Sequence, residues 1–138
     1  MSVKDVFLDL VSYPTASDET TGTTPSTPGQ KVLGAHIVEH MKSIGIADAR
    51  MDEMGYVYGT IPATAERGTT VGFIAHMDTS SAASGANISP RLIENYDGKD
   101  IVLHTEKNII MRTKDFSNLS QYQGQDLIVT DGLTLLGG

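Results

Sequence analysis

His76-Met77-Asp78 is the part of this 138-residue chain best suited to chemistry. A neutral imidazole is a good zinc ligand, and a carboxylate two residues on can accept its other ring N–H, which fixes both tautomer and orientation. His76 is therefore the candidate metal ligand, and Asp78 the candidate residue that orients it. The run before them, Val71-Gly72-Phe73-Ile74-Ala75, is short and continuously apolar, the pattern of a strand buried on both faces. In open α/β sheets, sites collect at the carboxyl ends of the strands, so the pair stands where function is expected. Taken alone, three residues fit a hydrogen-bonded structural histidine more often than a ligand.

A competing motif lies upstream, where His36-Ile37-Val38-Glu39-His40 fits the His-x-x-Glu-His pattern of an inverted zinc protease. Two histidines four apart share a helix face, and the glutamate could act as general base. The same segment is already accounted for as a packing helix, with Leu33, Ile37, Met41 and Ile44 forming one apolar stripe. The structural reading of His36 and His40 is preferred, and a third ligand such as Glu94 or Glu106 approaching both would reverse it. His104, among short polar strands, reads as a surface histidine. No serine stands in a Gly-x-Ser-x-Gly setting, and no glycine pattern forms a phosphate loop after a strand.

Composition narrows the remaining classes. Ten basic against 17 acidic side chains give a formal charge of -7, which argues against nucleic acid or an anionic membrane as partner. The absence of cysteine excludes disulfides, thiolate zinc sites and thiol nucleophiles, so a metal would be held by histidine and carboxylate alone. The opening residues lack a basic leader with a long apolar core, and no apolar run is long enough to cross a bilayer, so a soluble cytoplasmic protein is expected.

The elements that must position the pair are short. Ser2 with Asp5 three residues on forms a capping box for a helix over residues 3–12. Residues 15–29, rich in Thr, Ser, Gly and Pro, read as a surface loop. Thr27-Pro28-Gly29-Gln30 combines an N-cap threonine, a proline at the first helical position and a capping-box glutamine, and Gly45 stands at the far end as a left-handed cap. Short strands are expected at 47–51 and 56–61 around Met54-Gly55, at 70–75 before the site, and then at 92–93, 101–103, 109–111, 127–130 and 134–136. The expected class is α/β, a mixed sheet with flanking helices in one domain over 1–138, with the 70–75 strand in its interior and the 28–44 helix packed on one face.

Four stretches taken in order carry a resemblance: Gly72 to Ser80, Ser84-Gly85-Ala86-Asn87-Ile88-Ser89-Pro90, Ile93-Glu94-Asn95-Tyr96, and Thr130-Asp131-Gly132-Leu133-Thr134-Leu135-Leu136-Gly137. Together they resemble the N-terminal part of peptidase T, the cytoplasmic two-zinc tripeptide aminopeptidases. The likeness extends to the Pro25-Ser26-Thr27 helix start and so covers essentially the whole chain. It implies that His76 binds one of two zinc ions and that Asp78 is the active-site aspartate orienting it. A water held between the metals would attack the scissile carbonyl of a short peptide, with a glutamate as general base. The complete enzyme would be a homodimer. Leu133 departs from the lysine common at that position.

The resemblance further implies that the aspartate bridging both metals follows the final glycines, so the chain is expected to be the N-terminal piece of a catalytic domain. The alternative is a non-catalytic remnant that associates with a partner chain. Reading the source locus beyond codon 138 tests the first expectation. An aspartate at once supports it, and a continuation without acidic residues contradicts the resemblance.

Overall fold

The computed structural model describes residues 2–136. The elements run α1 (Val3–Leu10), α2 (Pro28–Ser43), β1 (Arg50–Met51), β2 (Val57–Tyr58), β3 (Arg91–Ile93), β4 (Ile101–His104), β5 (Ile109–Met111), a 3-10 helix (Ser117–Tyr122) and β6 (Leu127–Val129). Gly137 and Gly138, expected at the approach to a second metal, lie outside the described residues. Helices and strands are mixed in one chain, as the α/β reading requires. Among the described residues the strands form three two-stranded antiparallel sheets rather than one mixed sheet, and parallel pairing is confined to two single bridges, Ala16 with Thr79 and Ser84 with Thr134. The described chain divides into two compact units, residues 13–81 and residues 2–12 with 82–136.

The 13–81 unit is built on α2. Thr27 is its N-cap and Pro28 opens it, but the expected capping box is not formed. The Thr27 hydroxyl donates instead to the Ala16 carbonyl at 3.0 Å, and the Gln30 amide donates to the Ser26 hydroxyl and the Thr15 carbonyl. The helix thus uses its capping side chains to hold the preceding segment. Its buried face is Gln30, Leu33, Gly34 and Val38, with Ile37 and Met41 half-buried, so the stripe is rotated from the expected one and Ile44, the C-cap, is exposed.

That face packs on the β1–β2 hairpin, where Arg50 pairs with Tyr58 and Met51 with Val57. A Cβ at Gly34 would come within 2.6 Å of the Met51 sulfur, so the absent side chain is what allows the close packing. The hairpin turn is closed by Asp52, which accepts from the Tyr56 N–H at 2.9 Å, and by Gly55 at φ +87.

One expectation is overturned. Residues 70–75 form no strand, and Phe73 and Ile74 are 95% and 100% exposed. An unbroken apolar run is buried on both faces only when strands flank it and layers cover it. Among the described residues no strand pairs with it. Helix α2 therefore packs on a sheet as expected, but on β1–β2.

In the other unit, α1 carries the expected capping box, Ser2 N–H donating to Asp5 Oδ2 at 2.9 Å and Asp5 N–H to Ser2 Oγ at 3.2 Å. β3 pairs with β6 and β4 with β5. Tyr96, Ile101, Leu119 and Val129 form the core, with Ile93, Leu103, Met111 and Leu127 packed against it. Leu119 reaches that core from the 3-10 helix, which short-range patterning did not mark. The expected strand at 134–136 is reduced to the single bridge at Thr134, beside which Leu135 N–H donates to the Ser84 carbonyl at 2.9 Å.

Gly29 makes the closest approach of the glycines in the α2 unit: a Cβ there would lie 2.0 Å from the Pro14 carbonyl oxygen. Backbone cannot swing aside as a flexible side chain can. Gly29→Ala is expected to destabilise the chain by about 1–3 kcal/mol, the usual range for overpacking, measured by urea or thermal unfolding. An unchanged midpoint would contradict this close approach.

Candidate functional site

His76 and Asp78 follow the exposed run, and they face each other as their spacing suggested. His76 Nδ1 lies 2.8 Å from the Asp78 carbonyl oxygen and 3.2 Å from Asp78 Oδ1. Both neighbours are acceptors, so Nδ1 carries the proton and donates. The lone pair is then on Nε2, the nitrogen left for a metal, with a carboxylate behind the ring as in many zinc–histidine sites. The side chains are 64% and 48% exposed.

Asp78 is held from its other side by Ser17, whose hydroxyl donates to Oδ2. That bond is the main cause holding the Asp78 carboxyl below its usual range; partial burial opposes it, and the His76 hydrogen bond adds to it. Ser17 reaches the site because its backbone is paired with the residue after Asp78. Ser17 N–H donates to the Thr79 carbonyl at 2.9 Å, and Thr79 N–H donates to the Thr15 carbonyl at 3.1 Å. Thr15 is only 2% exposed, so the segment read from composition as a surface loop is anchored at its start. Ser17 was missed by sequence reasoning, and nothing in hydropathy marks it, because a single parallel bridge needs no apolar alternation.

The other histidines are placed differently. The His36 ring stacks at a tilt on Tyr13, with centroids 5.0 Å apart, and Glu39, the residue that would serve as base in the competing motif, pairs with Lys42 at 3.1 Å. His104 is half-buried in β4, and its Nδ1 accepts the Lys107 N–H at 3.4 Å across the turn to β5.

A catalytic zinc needs three protein ligands and an open position. Among the described residues no group of three His or acidic side chains gathers that could hold a metal. His76, with its lone pair on Nε2, has the donor that a zinc ion takes from one ligand. The remaining ligands are not assembled among the described residues.

No protein-family model matches the chain. Individual curated proteins do. The chain is 50% identical over 138 residues to the peptidase T of Parabacteroides distasonis and 46% identical over 137 residues to that of Clostridium novyi, in each case across 99% of this chain and 34% of the relative. It is 48% identical over 132 residues to the peptidase T of Bacillus subtilis, covering 95% of this chain and 32% of that protein. The chain is related to peptidase T. It spans about a third of the length of these relatives. Within that third, the stretches that carried the resemblance have defined places: the Ser84 segment is bridged to Thr134, and Tyr96 of the Glu-Asn-Tyr stretch sits in the core. Among the described residues no helix is long and apolar enough to cross a membrane.

Proposed function

We propose that this chain contributes one metal ligand and its orienting carboxylate to the centre of a zinc-dependent aminopeptidase that releases the N-terminal residue of tripeptides. The observation that supports the reading is the His76 ring, its Nδ1 within 2.8 Å of the Asp78 carbonyl oxygen and 3.2 Å of the Asp78 carboxylate, in a chain related to peptidase T.

In this reading His76 Nε2 holds one of two zinc ions. When bound, the metals supply Lewis acidity toward the peptide carbonyl and lower the pKa of the attacking water. This chain's own contribution is positional. Asp78 keeps the proton on Nδ1, so that Nε2 presents a lone pair, and its negative charge makes the ring a better donor. The remaining ligands and the general base come from parts of the complete enzyme beyond this third. That enzyme acts on short peptides in the cytoplasm as a homodimer. The 138 residues by themselves have no measurable peptidase activity, because one imidazole does not make a catalytic centre.

A second reading, a non-catalytic chain that associates with a partner, is favoured by the exposure of Phe73 and Ile74 immediately before the site. One chimera separates the two: the Bacillus subtilis peptidase T with its matched third replaced by residues 1–138. Zinc-dependent tripeptide hydrolysis is expected, falling by several orders of magnitude in His76→Ala, with zinc affinity lowered about 10–100-fold in Asp78→Ala. A folded chimera that keeps its zinc and its activity after His76→Ala contradicts the proposal. A folded chimera inactive from the start supports the non-catalytic reading.

A further inference from the structure

We propose that Ser17 is a positioning residue for the His76–Asp78 pair, holding the Asp78 carboxylate in the orientation that meets the imidazole. The role given to His76 rests on the function proposed above, whereas the geometry of Ser17 does not.

The Asp78 side chain is about half exposed, at 48%. A carboxylate so placed would exchange rotamers in water unless both oxygens were occupied. Here they are divided: Oδ1 faces His76 Nδ1 at 3.2 Å and Oδ2 accepts the Ser17 hydroxyl. Rotation about the Cα–Cβ bond would break both contacts together. The division also assigns work, since the ring nitrogen is already held at 2.8 Å by the Asp78 carbonyl, and only the carboxylate brings negative charge to it. Without Ser17, the carbonyl would still hold the tautomer, but the charge behind the ring would be free to turn into solvent.

Ser17 can do this because its own position is determined from the other side. Its N–H and the Thr15 carbonyl are paired with Thr79, one residue beyond Asp78. The same short segment is gripped by the first turn of α2: Thr27 Oγ1 donates to the Ala16 carbonyl at 3.0 Å, Gln30 Nε2 to the Thr15 carbonyl at 3.4 Å, and Asp18 N–H donates to Ser26 Oγ at 3.1 Å. Hydrogen bonds therefore run without interruption from the helix start through residues 15–18 to the carboxylate and the ring. A hydroxyl suits the position, because it donates to the carboxylate while adding no charge that would compete with the metal.

The test is the side-chain conformation of Asp78 in the 138-residue chain, read from its three-bond Hα–Hβ couplings by NMR, with the amide spectrum of α2 and the β1–β2 hairpin as the control for folding. Couplings of a single rotamer are expected in the wild type and in Ser17→Thr, which keeps the hydroxyl, and rotamer-averaged couplings in Ser17→Ala. Ser17→Cys, close in size but a weak donor, supplies the same comparison should Ser17→Ala fail to fold, and averaging is expected there too. In the chimera, Ser17→Ala is expected to lower zinc affinity roughly tenfold, the lower end of what loss of an outer-shell partner costs, and Ser17→Thr to restore it. A single Asp78 rotamer retained in folded Ser17→Ala or Ser17→Cys overturns the proposal, as do averaged couplings already present in the wild type. Activity of the chimera after His76→Ala contradicts the function proposed above and leaves these couplings as they are, so the two failures are distinguishable.

Discussion

The contact between the first turn of α2 and residues 14–18 is the constraint on which the candidate site depends. A helix start presents N–H groups and capping side chains that must find partners. In this chain those side chains, Ser26, Thr27 and Gln30, turn outward to the segment before the helix instead of closing on the helix itself. The approach is possible because residue 29 is glycine, with the Pro14 carbonyl where a Cβ would stand. Once residues 15–17 are held, one parallel bridge places residues 78 and 79, and with them the carboxylate. The imidazole is thus oriented from the helix as well as from its own chain neighbour.

The energetic logic of the site differs from that of the rest of the chain. Hydrophobic burial stabilises the Tyr96 core and the α2 face at Leu33 and Val38, where apolar side chains are out of water. At His76 and Asp78 the side chains are half exposed, so the geometry is maintained by directed hydrogen bonds, each worth about a kilocalorie per mole net. Several in series define an orientation that any one of them would leave loose. That is what a metal ligand needs, since a fixed ring and tautomer reduce the reorganisation required on binding.

How far the sequence revealed this follows from the range of each interaction. Helix starts are local, and both were legible: the Ser2–Asp5 capping box is present, and Pro28 opens α2. The β1–β2 hairpin was legible through Gly55 for the same reason. The His76–Asp78 contact spans two residues and was read from spacing alone. What failed was non-local. Whether Val71 to Ala75 is buried depends on which strands lie beside it, and apolar character alone cannot supply them. The exchange of a capping box for contacts with residues 15 and 16 was hidden similarly, since Thr27 and Gln30 are the right residues for either use. Ser17 lies 61 positions from its carboxylate partner, in a stretch whose composition says only loop.

The central claim is that the ring of His76 is held with its proton on Nδ1 and its lone pair on Nε2. Nitrogen-15 chemical shifts of the His76 ring, recorded in the 138-residue chain at a pH where the imidazole is neutral and assigned with His76→Gln, report this directly. The account predicts an Nδ1–H tautomer, enriched over that of the same histidine in urea. A ring protonated on Nε2, or a tautomer ratio equal to that of the unfolded chain, would contradict it.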